Sequence, residues 1–117
     1  MTDSDPPPAP SYAAQLHQHR VYRNVTYGNA GAFIALQRQK NELLAAAGLV
    51  PYAVWAPALG GLHHLVMTAD FPSLAAFQAQ GAAAGGLAGY KDLNAQQLAY
   101  VIEGTARDEM VKLELAP

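Results

Sequence analysis

The stretch from Val50 to Leu74 constrains the fold of this chain more than any other, because it contains two apolar segments joined by a short connection rich in proline and glycine. The segments Val50 to Ala56 and Leu62 to Asp70 have the length and composition of β-strands. The connection, Pro57 to Gly61, has room for a turn only, so the two strands are predicted to pair antiparallel. Phe71 and the residues after it then lead from this hairpin into a helix.

Alternation and spacing predict the elements before the hairpin. From Arg20 to Tyr27 the side chains alternate between a more apolar and a less apolar face, and many are β-branched or aromatic, which predicts strand one. A helix should follow, with Asn29 as its N-cap and an end near Ala47, where Gly48 supplies a left-handed C-cap. Its predicted apolar stripe consists of Phe33, Leu36, Leu43, Leu44 and Ala47. A single stripe places the helix on a sheet rather than inside a bundle.

The segments after the hairpin predict two more helical stretches and a last strand. Pro72 and Ser73 open helix two, because proline is favoured in a first helical turn, and this helix becomes poor beyond about Gln80, where glycines are frequent. From Tyr90 to Ile102 the apolar residues again recur at helical spacing, and from Arg107 to Leu115 apolar and polar residues alternate as in a strand. The order β-α-β-β-α(α)-β is the split βαβ pattern of ferredoxin-like folds. We therefore predict an α+β fold with a four-stranded antiparallel sheet.

The faces of the strands predict which side of the sheet is covered. On strand three the predicted core side consists of His63, Leu65, Met67, Ala69 and Phe71. The helices cover one face only, and the other face, which contains Tyr22, Val66 and Met110, would be left exposed. A face-to-face homodimer, forming a dimeric α+β barrel, would bury it.

The length and the N-terminal composition predict one domain behind an arm. With 117 residues, 51% of them hydrophobic, the chain has material for one core. Residues 1–16 carry four of the eight prolines, so we predict a disordered arm there and a single domain over residues 17–117. The N-terminal residues lack the basic and apolar runs of an export signal, and no apolar run approaches the roughly 20 residues of a spanning helix. We therefore expect a cytoplasmic protein with no membrane partner.

Charge and cysteine content exclude several classes of function. The net charge is −2 with only seven Lys and Arg, which does not supply the basic surface that nucleic acid or an anionic membrane requires. The chain contains no cysteine, so disulfides, thiolate ligands and thiol nucleophiles are excluded. His17 and His19 can share a strand face and recruit a metal, or they can be solvated at the end of the arm. We expect the second, and predict neither a metal nor a cofactor.

Several short motifs occur in a characteristic order. Strand one ends in an aromatic residue, an amphipathic helix follows, and strand two carries a tryptophan. The motif residues of the hairpin region are Trp55, Gly60, Gly61, Leu62, Phe71, Pro72, Ser73 and Leu74. In this order the chain resembles, from Arg20 to Leu115, the NIPSNAP-type branch of the dimeric α+β barrel superfamily. The resemblance implies homodimers whose two sheets close into a barrel, with a cleft in each subunit between sheet and helices.

The resemblance also implies a range of activities. The superfamily includes cofactor-free monooxygenases that act on polycyclic aromatics, haem-degrading enzymes, lactone isomerases and proteins with no known activity. The chain departs from the branch around Arg23, where the Glu and Arg of the usual Tyr-Glu-x-Arg-x-Tyr are not kept, and late in strand three, where Met67 and Ala69 replace the usual His and Trp. Haem degradation is the least expected activity, because the helix-two and glycine region lacks the histidine that such enzymes usually place there.

Four residues are candidates for a site. Arg23, Tyr27 and His63 are predicted on one face of neighbouring strands. There Arg23 can hold a carboxylate, phenolate or enolate, and Tyr27 can donate a hydrogen bond. His63 is the candidate catalytic base, because histidine titrates near neutral pH, and its neighbour His64 should point to the opposite face. Trp55 is either a packing residue of the core or an interface, or an aromatic wall for a planar ligand.

Two functions remain open. The first is a homodimer that binds a small apolar or aromatic molecule in the sheet-helix cleft, with cofactor-independent monooxygenase or isomerase chemistry. The second is a non-catalytic homodimeric structural or interaction protein. In that case Arg23 reaches the sheet edge and pairs with a carboxylate such as Glu109, and His63 is solvated at the hairpin mouth. An open cavity that reaches His63 would favour the first function.

Overall fold

The computed structural model describes residues 16–61 and 63–117. Along this part of the chain the elements are β1 (His17–Asn24), α1 (Ala30–Ala46), β2 (Ala53–Trp55), β3 (His64–Phe71), α2 (Leu74–Gly85), α3 (Tyr90–Leu98) and β4 (Arg107–Lys112). The predicted succession of strands and helices is confirmed. Most of the predicted arm, residues 1–15, and Leu62 of the hairpin lie outside the described residues. Among the described helices, none has the length and hydrophobicity needed to cross a bilayer.

The strands form one antiparallel sheet in the order β2-β3-β1-β4. β1 lies inside the sheet and pairs with β3 from His17, opposite Phe71, to Asn24, opposite His64. On its other side it pairs with the edge strand β4. This four-stranded antiparallel sheet, combined with three helices, confirms the predicted α+β, ferredoxin-like architecture.

The core lies between the sheet and the helices. Its buried cluster combines Val21 and Val25 from the β1 segment, Phe33 from α1, and Leu65 and Met67 from β3. Burial alternates along β3, so that its inner residues are Leu65, Met67, Ala69 and Phe71. Because neighbouring strand residues point to opposite faces, this pattern confirms the predicted inner side of β3 within the strand.

β1 covers His17–Asn24 rather than the predicted Arg20 to Tyr27. Its first residues belong to the sheet because they pair on both sides, with β3 and with β4. The strand ends early because the chain then turns toward the segment that follows α3. The shift places His17 and His19 inside the sheet instead of at the end of an arm.

β2 is limited to Ala53–Trp55, shorter than predicted, because two side-chain amides hold the residues before it. Gln80 of α2 accepts the N–H of Val50 and donates to its carbonyl, both at 2.8 Å. Asn41 of α1 does the same for Tyr52, at 2.9 and 2.8 Å. These amides supply the backbone partners that a longer strand would have supplied.

Glycine and serine set the helix ends. Gly48 has a φ of +73°, and two backbone hydrogen bonds back into the last turn of α1 close a Schellman motif, so the predicted C-cap is confirmed. The Ser73 hydroxyl accepts the N–H of Ala76 at 3.0 Å and caps α2. α2 continues to Gly85, past the predicted limit near Gln80, because Gln80 is anchored in the core and strong helix formers follow it.

α1 begins after Asn29, as predicted, although the Asn29 amide donates to Thr26 instead of capping the helix. The buried side of α1 is rotated relative to the predicted stripe. Gln37 and Lys40 are buried, whereas Ala47 at the end of the predicted stripe is exposed. Both of these polar side chains form hydrogen bonds with Gln97 of α3.

The outer face of the sheet carries a shallow groove, here called the outer groove. It is lined by Gln18, Arg20, Tyr22, Trp55, Val66 and Thr68. Met110 was predicted on this face, and that prediction is wrong, because the register places Met110 opposite His19, on the helix side. An error of one residue in the register of a strand exchanges its two faces. The register of β4 is fixed by its pairing with β1 and not by its own sequence.

Candidate functional site

A cavity of about 220 Å³ lies between the inner face of the sheet and helices α1 and α3. Its apolar wall consists of Val21, Phe33, Met67, Leu98 and Val101. Its polar wall consists of His19, Arg23, Gln37, Lys40, Tyr52, Tyr90, Asn94, Gln97 and Asp108. A concave site with an apolar wall and a few converging polar groups is the usual form of a small-molecule site.

Four side chains of the polar wall form one chain of hydrogen bonds, called the relay below: Tyr52, His19, Asp108 and Arg23. The Tyr52 Oη lies 2.6 Å from His19 Nδ1, and His19 Nε2 lies 3.1 Å from Asp108 Oδ2. Arg23 donates to Asp108 Oδ1 at 2.6 Å. We assign the His19 proton to Nε2, so that the imidazole donates a hydrogen bond to the Asp108 carboxylate and accepts one from the Tyr52 hydroxyl.

Strand geometry explains why the relay forms. His19 and Arg23 lie on one face of β1, because residues an even number apart share a face. Val21, between them, lies opposite Asp108 of β4. The carboxylate therefore lies between the imidazole and the guanidinium, and each of its oxygens binds one of them. Tyr52 is fixed in turn by the backbone clamp from α1.

The environment keeps the two acidic groups of the relay, Asp108 and Tyr52, in opposite protonation states. Burial alone would raise the pKa of Asp108, but the hydrogen bond and charge of Arg23, joined by those of His19, outweigh burial and hold the pKa below its ordinary 3.8. Burial, with Tyr90 and Asp108 nearby, raises the pKa of Tyr52 well above 10.0. At neutral pH His19 therefore lies between an ionised carboxylate and a protonated phenol.

Both ring nitrogens of His19 are engaged within the protein. This position differs from the solvated one expected from the sequence. Among residues 16–61 and 63–117, no three His, Cys, Asp or Glu side chains are grouped so that they could hold a metal ion.

Lys40 of α1 is a buried cation, only 7% exposed. Its ammonium donates to Gln97 Oε1 at 2.8 Å and to Asn94 Oδ1 at 3.1 Å, and it lies 5.0 Å from the centre of the Tyr90 ring. Burial, with the charge of Arg23, lowers the pKa of Lys40 from 10.5 to about 8. At neutral pH Lys40 is therefore still mostly charged, but it is held in an environment that opposes the charge.

Of the four residues predicted for the site, the cavity wall includes Arg23. Its guanidinium pairs with Asp108, and not with Glu109, the carboxylate considered from the sequence. Glu109 accepts a hydrogen bond from the Tyr22 hydroxyl instead, at 2.8 Å. Neighbouring residues of β4 point to opposite faces, so only one of the two carboxylates can meet Arg23 on the inner side.

The other three predicted residues lie outside the cavity wall. Tyr27 follows β1 in a turn and is 94% exposed. Trp55 is 61% exposed on the outer face, where its indole donates to Thr68 at 2.9 Å. His63 precedes β3, and its ring lies 4.2 Å from that of His64. The prediction that these two histidines point to opposite faces is wrong, because the strand begins only at His64.

Two site residues that the sequence reasoning missed leave a signal in the sequence. His19 was missed because strand one was predicted to begin at Arg20, although continuing the alternation backward places His19 on the face of Val21. Lys40 lies four residues from both Leu36 and Leu44, so it falls on the buried side of α1. A lysine at that spacing within an apolar stripe indicates a buried cation.

The fold and the cavity define a class, the ferredoxin-like α+β proteins with a cleft between sheet and helices. The chain is similar to an uncharacterized NIPSNAP domain protein from Burkholderia xenovorans, with a TM-score of 0.65 at 17% identity over 86% of this chain and 94% of that one. It is similar to a NIPSNAP family protein with unknown function from Agrobacterium tumefaciens, with a TM-score of 0.66 at 14% identity over 88% and 91% of the two chains. A third similar structure is that of an antibiotic biosynthesis monooxygenase, with a TM-score of 0.61 at 14% identity over 86% and 99%.

Sequence comparison does not detect these similarities. No family model matches the chain, and no curated protein gives a significant match. The structural similarities establish that the chain has the fold of NIPSNAP-type proteins, in agreement with the resemblance of its motifs. A fold hosts many functions, so the activity depends on the residues of the site and not on the fold.

Proposed function

We propose that this protein binds a small aromatic or apolar molecule in the cavity between the sheet and helices α1 and α3, and that it transfers a proton to or from that molecule without a cofactor. The observation that carries the proposal is the relay, which joins a half-buried phenol, an imidazole and a carboxylate on a wall of the cavity. A cavity of roughly 150 Å³ holds benzene. The cavity of about 220 Å³ therefore has room for one aromatic ring with small substituents.

The relay accepts a proton in a balanced step. Tyr52 passes its phenol proton to His19 Nδ1 and takes a proton from an acidic C–H or O–H of the bound molecule, so that the ligand becomes an anion and His19 becomes an imidazolium. The Asp108 carboxylate stabilises that imidazolium, and Arg23 keeps Asp108 ionised. Positioned proton transfer of this kind accelerates reactions by about 10²- to 10⁴-fold.

The ligand anion has two outcomes. Return of the proton to a different atom gives an isomerase. Alternatively, the anion forms a C–O bond with dioxygen and takes up a proton to give a hydroperoxide, which loses water and leaves one oxygen atom on the ligand as a carbonyl, as in a cofactor-independent monooxygenase. One similar structure is an antibiotic biosynthesis monooxygenase, which supports including the second outcome. In this proposal Tyr52 takes the proton of the ligand, and His19, which lines the cavity, replaces His63 as the histidine that accepts the transferred proton. Arg23 lies on the cavity wall, where it keeps Asp108 ionised.

Deuterium exchange tests the proton transfer directly. Phenylacetone has one ring and an acidic benzylic C–H, and its exchange in D₂O can be followed by proton NMR. We expect exchange in the wild type and a loss of at least tenfold in His19→Asn and Tyr52→Phe. His63→Asn should exchange as the wild type does. Loss in His63→Asn with retention in His19→Asn would return the base to the residue predicted from the sequence, and absence of exchange in the wild type would refute the proposal.

We propose in addition that two copies of the chain associate through the outer groove. Trp55 is 61% exposed there, beside Val66 and the ring of Tyr22, and exposed aromatic residues on a sheet face are typical of interfaces. A dimer whose cavity binds nothing would be the alternative, a non-catalytic interaction protein. We propose a cytoplasmic location for either form.

Native mass spectrometry of the wild type and of Val66→Glu tests the association. The wild type should be a dimer, and the variant should be a folded monomer, because a carboxylate in the groove would have to be buried in the dimer. A control substitution of the exposed Gln78 on α2 to alanine should leave the dimer intact. A monomeric wild type would contradict the proposed association while leaving the proposed cavity chemistry in place.

A further inference from the structure

Lys40 stands apart from the relay, and its surroundings point to a ligand charge. Its side chain is nine-tenths buried, and its two hydrogen-bond acceptors, the side-chain oxygens of Gln97 and Asn94, are neutral amides. Among the ion pairs formed by the described residues, none includes Lys40. A buried charge is normally paired, because removing it from water is costly.

We propose that Lys40 is the anion-binding residue of the cavity and that the natural ligand is a single-ring aromatic carboxylate whose negative charge lies beside its ammonium. This inference rests on the proposed function, because it names the class of ligand for the same cavity. It assigns the ligand carboxylate to Lys40 and leaves Arg23, which is already engaged with Asp108, as a positioning residue of the relay.

The charges on the cavity wall support this assignment. Arg23 and Lys40 contribute two positive charges against the single carboxylate of Asp108. The difference, two minus one, leaves one positive charge that is not balanced, without counting His19. The charge of Arg23 is close enough to Lys40 to disfavour its protonated form. A ligand anion in the cavity would therefore interact favourably with both cations.

The donors and the apolar wall fit the proposed ligand. An ammonium has three N–H donors, and two of those of Lys40 are used by Gln97 and Asn94. The third is available to a carboxylate oxygen. The apolar residues Val21, Phe33 and Met67 line the same cavity and can hold an aromatic ring. A carboxylate is ionised throughout the neutral range, so it brings a full charge to the buried cation.

The binding should depend on pH, because only protonated Lys40 attracts the anion. The titratable and charged groups around Lys40 are Arg23 and His19 of β1, Asp108 of β4, Tyr52 before β2, and Tyr90 of α3. The lowered pKa of Asp108 keeps that carboxylate charged between pH 7 and pH 9, and burial raises the pKa of Tyr90, so the phenol of Tyr90 stays neutral there. Since the pKa of Lys40 is about 8, the affinity for a carboxylate should fall about tenfold from pH 7 to pH 9.

Matched acids and amides test the inference. Benzoate and phenylacetate are compared with benzamide and phenylacetamide by NMR titration of the full chain. The wild type should bind each acid at least tenfold more tightly than its amide at pH 7. Lys40→Met should lose this preference while still binding the amides. Lys91→Met, which removes an exposed lysine of α3, should behave as the wild type does.

The outcomes separate this inference from the proposed function. Equal binding of acids and amides by the wild type, or an acid preference that survives in Lys40→Met, would overturn the role of Lys40 and leave the cavity as a small-molecule site. Absence of binding for all four probes would overturn the proposed function itself. The pH series on the wild type needs no variant, and an acid affinity that does not change between pH 7 and pH 9 would also overturn the inference. Lys40→Arg, which stays charged at both pH values, should lack the decrease.

Discussion

Replacing Lys40 with methionine should make the protein more stable at neutral pH, by an amount that shrinks as the pH rises. The pKa of Lys40 is lowered from 10.5 to about 8 in the folded protein, so the unfolded chain holds this proton more tightly. Between those two values the unfolded chain binds more protons than the folded one, and the free energy of unfolding of the wild type therefore rises with pH. Methionine matches lysine in length and does not titrate, so the variant lacks this rise.

The magnitude follows from the shift. The change from 10.5 to about 8 corresponds to about 3 kcal/mol of destabilisation when Lys40 is protonated in both states. Between pH 7 and pH 9.5 the wild type should recover about 2 kcal/mol of that amount. The substitution also removes a donor from Gln97 and Asn94, which lowers the gain by about 1 kcal/mol. The variant should thus be roughly 2 kcal/mol more stable than the wild type at pH 7.

Urea unfolding followed by circular dichroism at a series of pH values measures this difference. Comparing wild type and variant at each pH cancels the other titrating groups, including the tyrosines of the cavity. Lys91→Met, at an exposed position of α3, should show no pH-dependent difference from the wild type. A difference between Lys40→Met and wild type that stays constant from pH 7 to pH 9.5, or a variant less stable than the wild type at pH 7, would refute the reasoning.

Three further substitutions test the folded structure. Asp108→Asn should lose less stability in acid than the wild type. The pKa of Asp108 is held below 3.8 in the folded protein, so its stabilising contribution is present above that pH and is lost as the pH falls through the lower folded pKa. Acid unfolding of both proteins, followed by circular dichroism, measures the difference. Gln80→Ala leaves the N–H and carbonyl of Val50 without their partners and should lower the free energy of unfolding by about 2 kcal/mol. A similar loss in Gln78→Ala, at an exposed neighbouring position, would mean that the two hydrogen bonds to Val50 are not the cause. Gly48→Ala should cost about 1 kcal/mol in urea unfolding because an alanine at a φ of +73° is strained, and a neutral result would show that the left-handed cap is dispensable.

The element order could be predicted because each segment carries a local signal. The hairpin, the Gly48 cap and the inner residues of β3 follow from turn composition, backbone conformation and period-two alternation, and all three are found in the structure. The bounds of β1 could not be predicted from its own residues, because the pairing of His17 with strands distant in sequence decides where it begins. The prediction of the face on which Met110 lies was wrong for the same reason.

The site was only partly predictable, because it depends on contacts between distant elements. The position of Arg23 on the inner face was predicted, since it follows from the alternation of β1. Tyr52 could not be found from spacing, because an amide from α1 holds it against the sheet. The candidate His63 looked suitable by residue type and strand position, but the strand begins one residue later.

β1 serves two surfaces with alternating residues. His19 and Arg23 line the cavity, while Gln18, Arg20 and Tyr22 line the outer groove. A single inserted residue would exchange the two sets, because a shift of one position turns every following side chain to the opposite face. Relatives that keep this site should therefore tolerate many substitutions in their loops, yet they should preserve the length of this strand without insertion or deletion over evolutionary time.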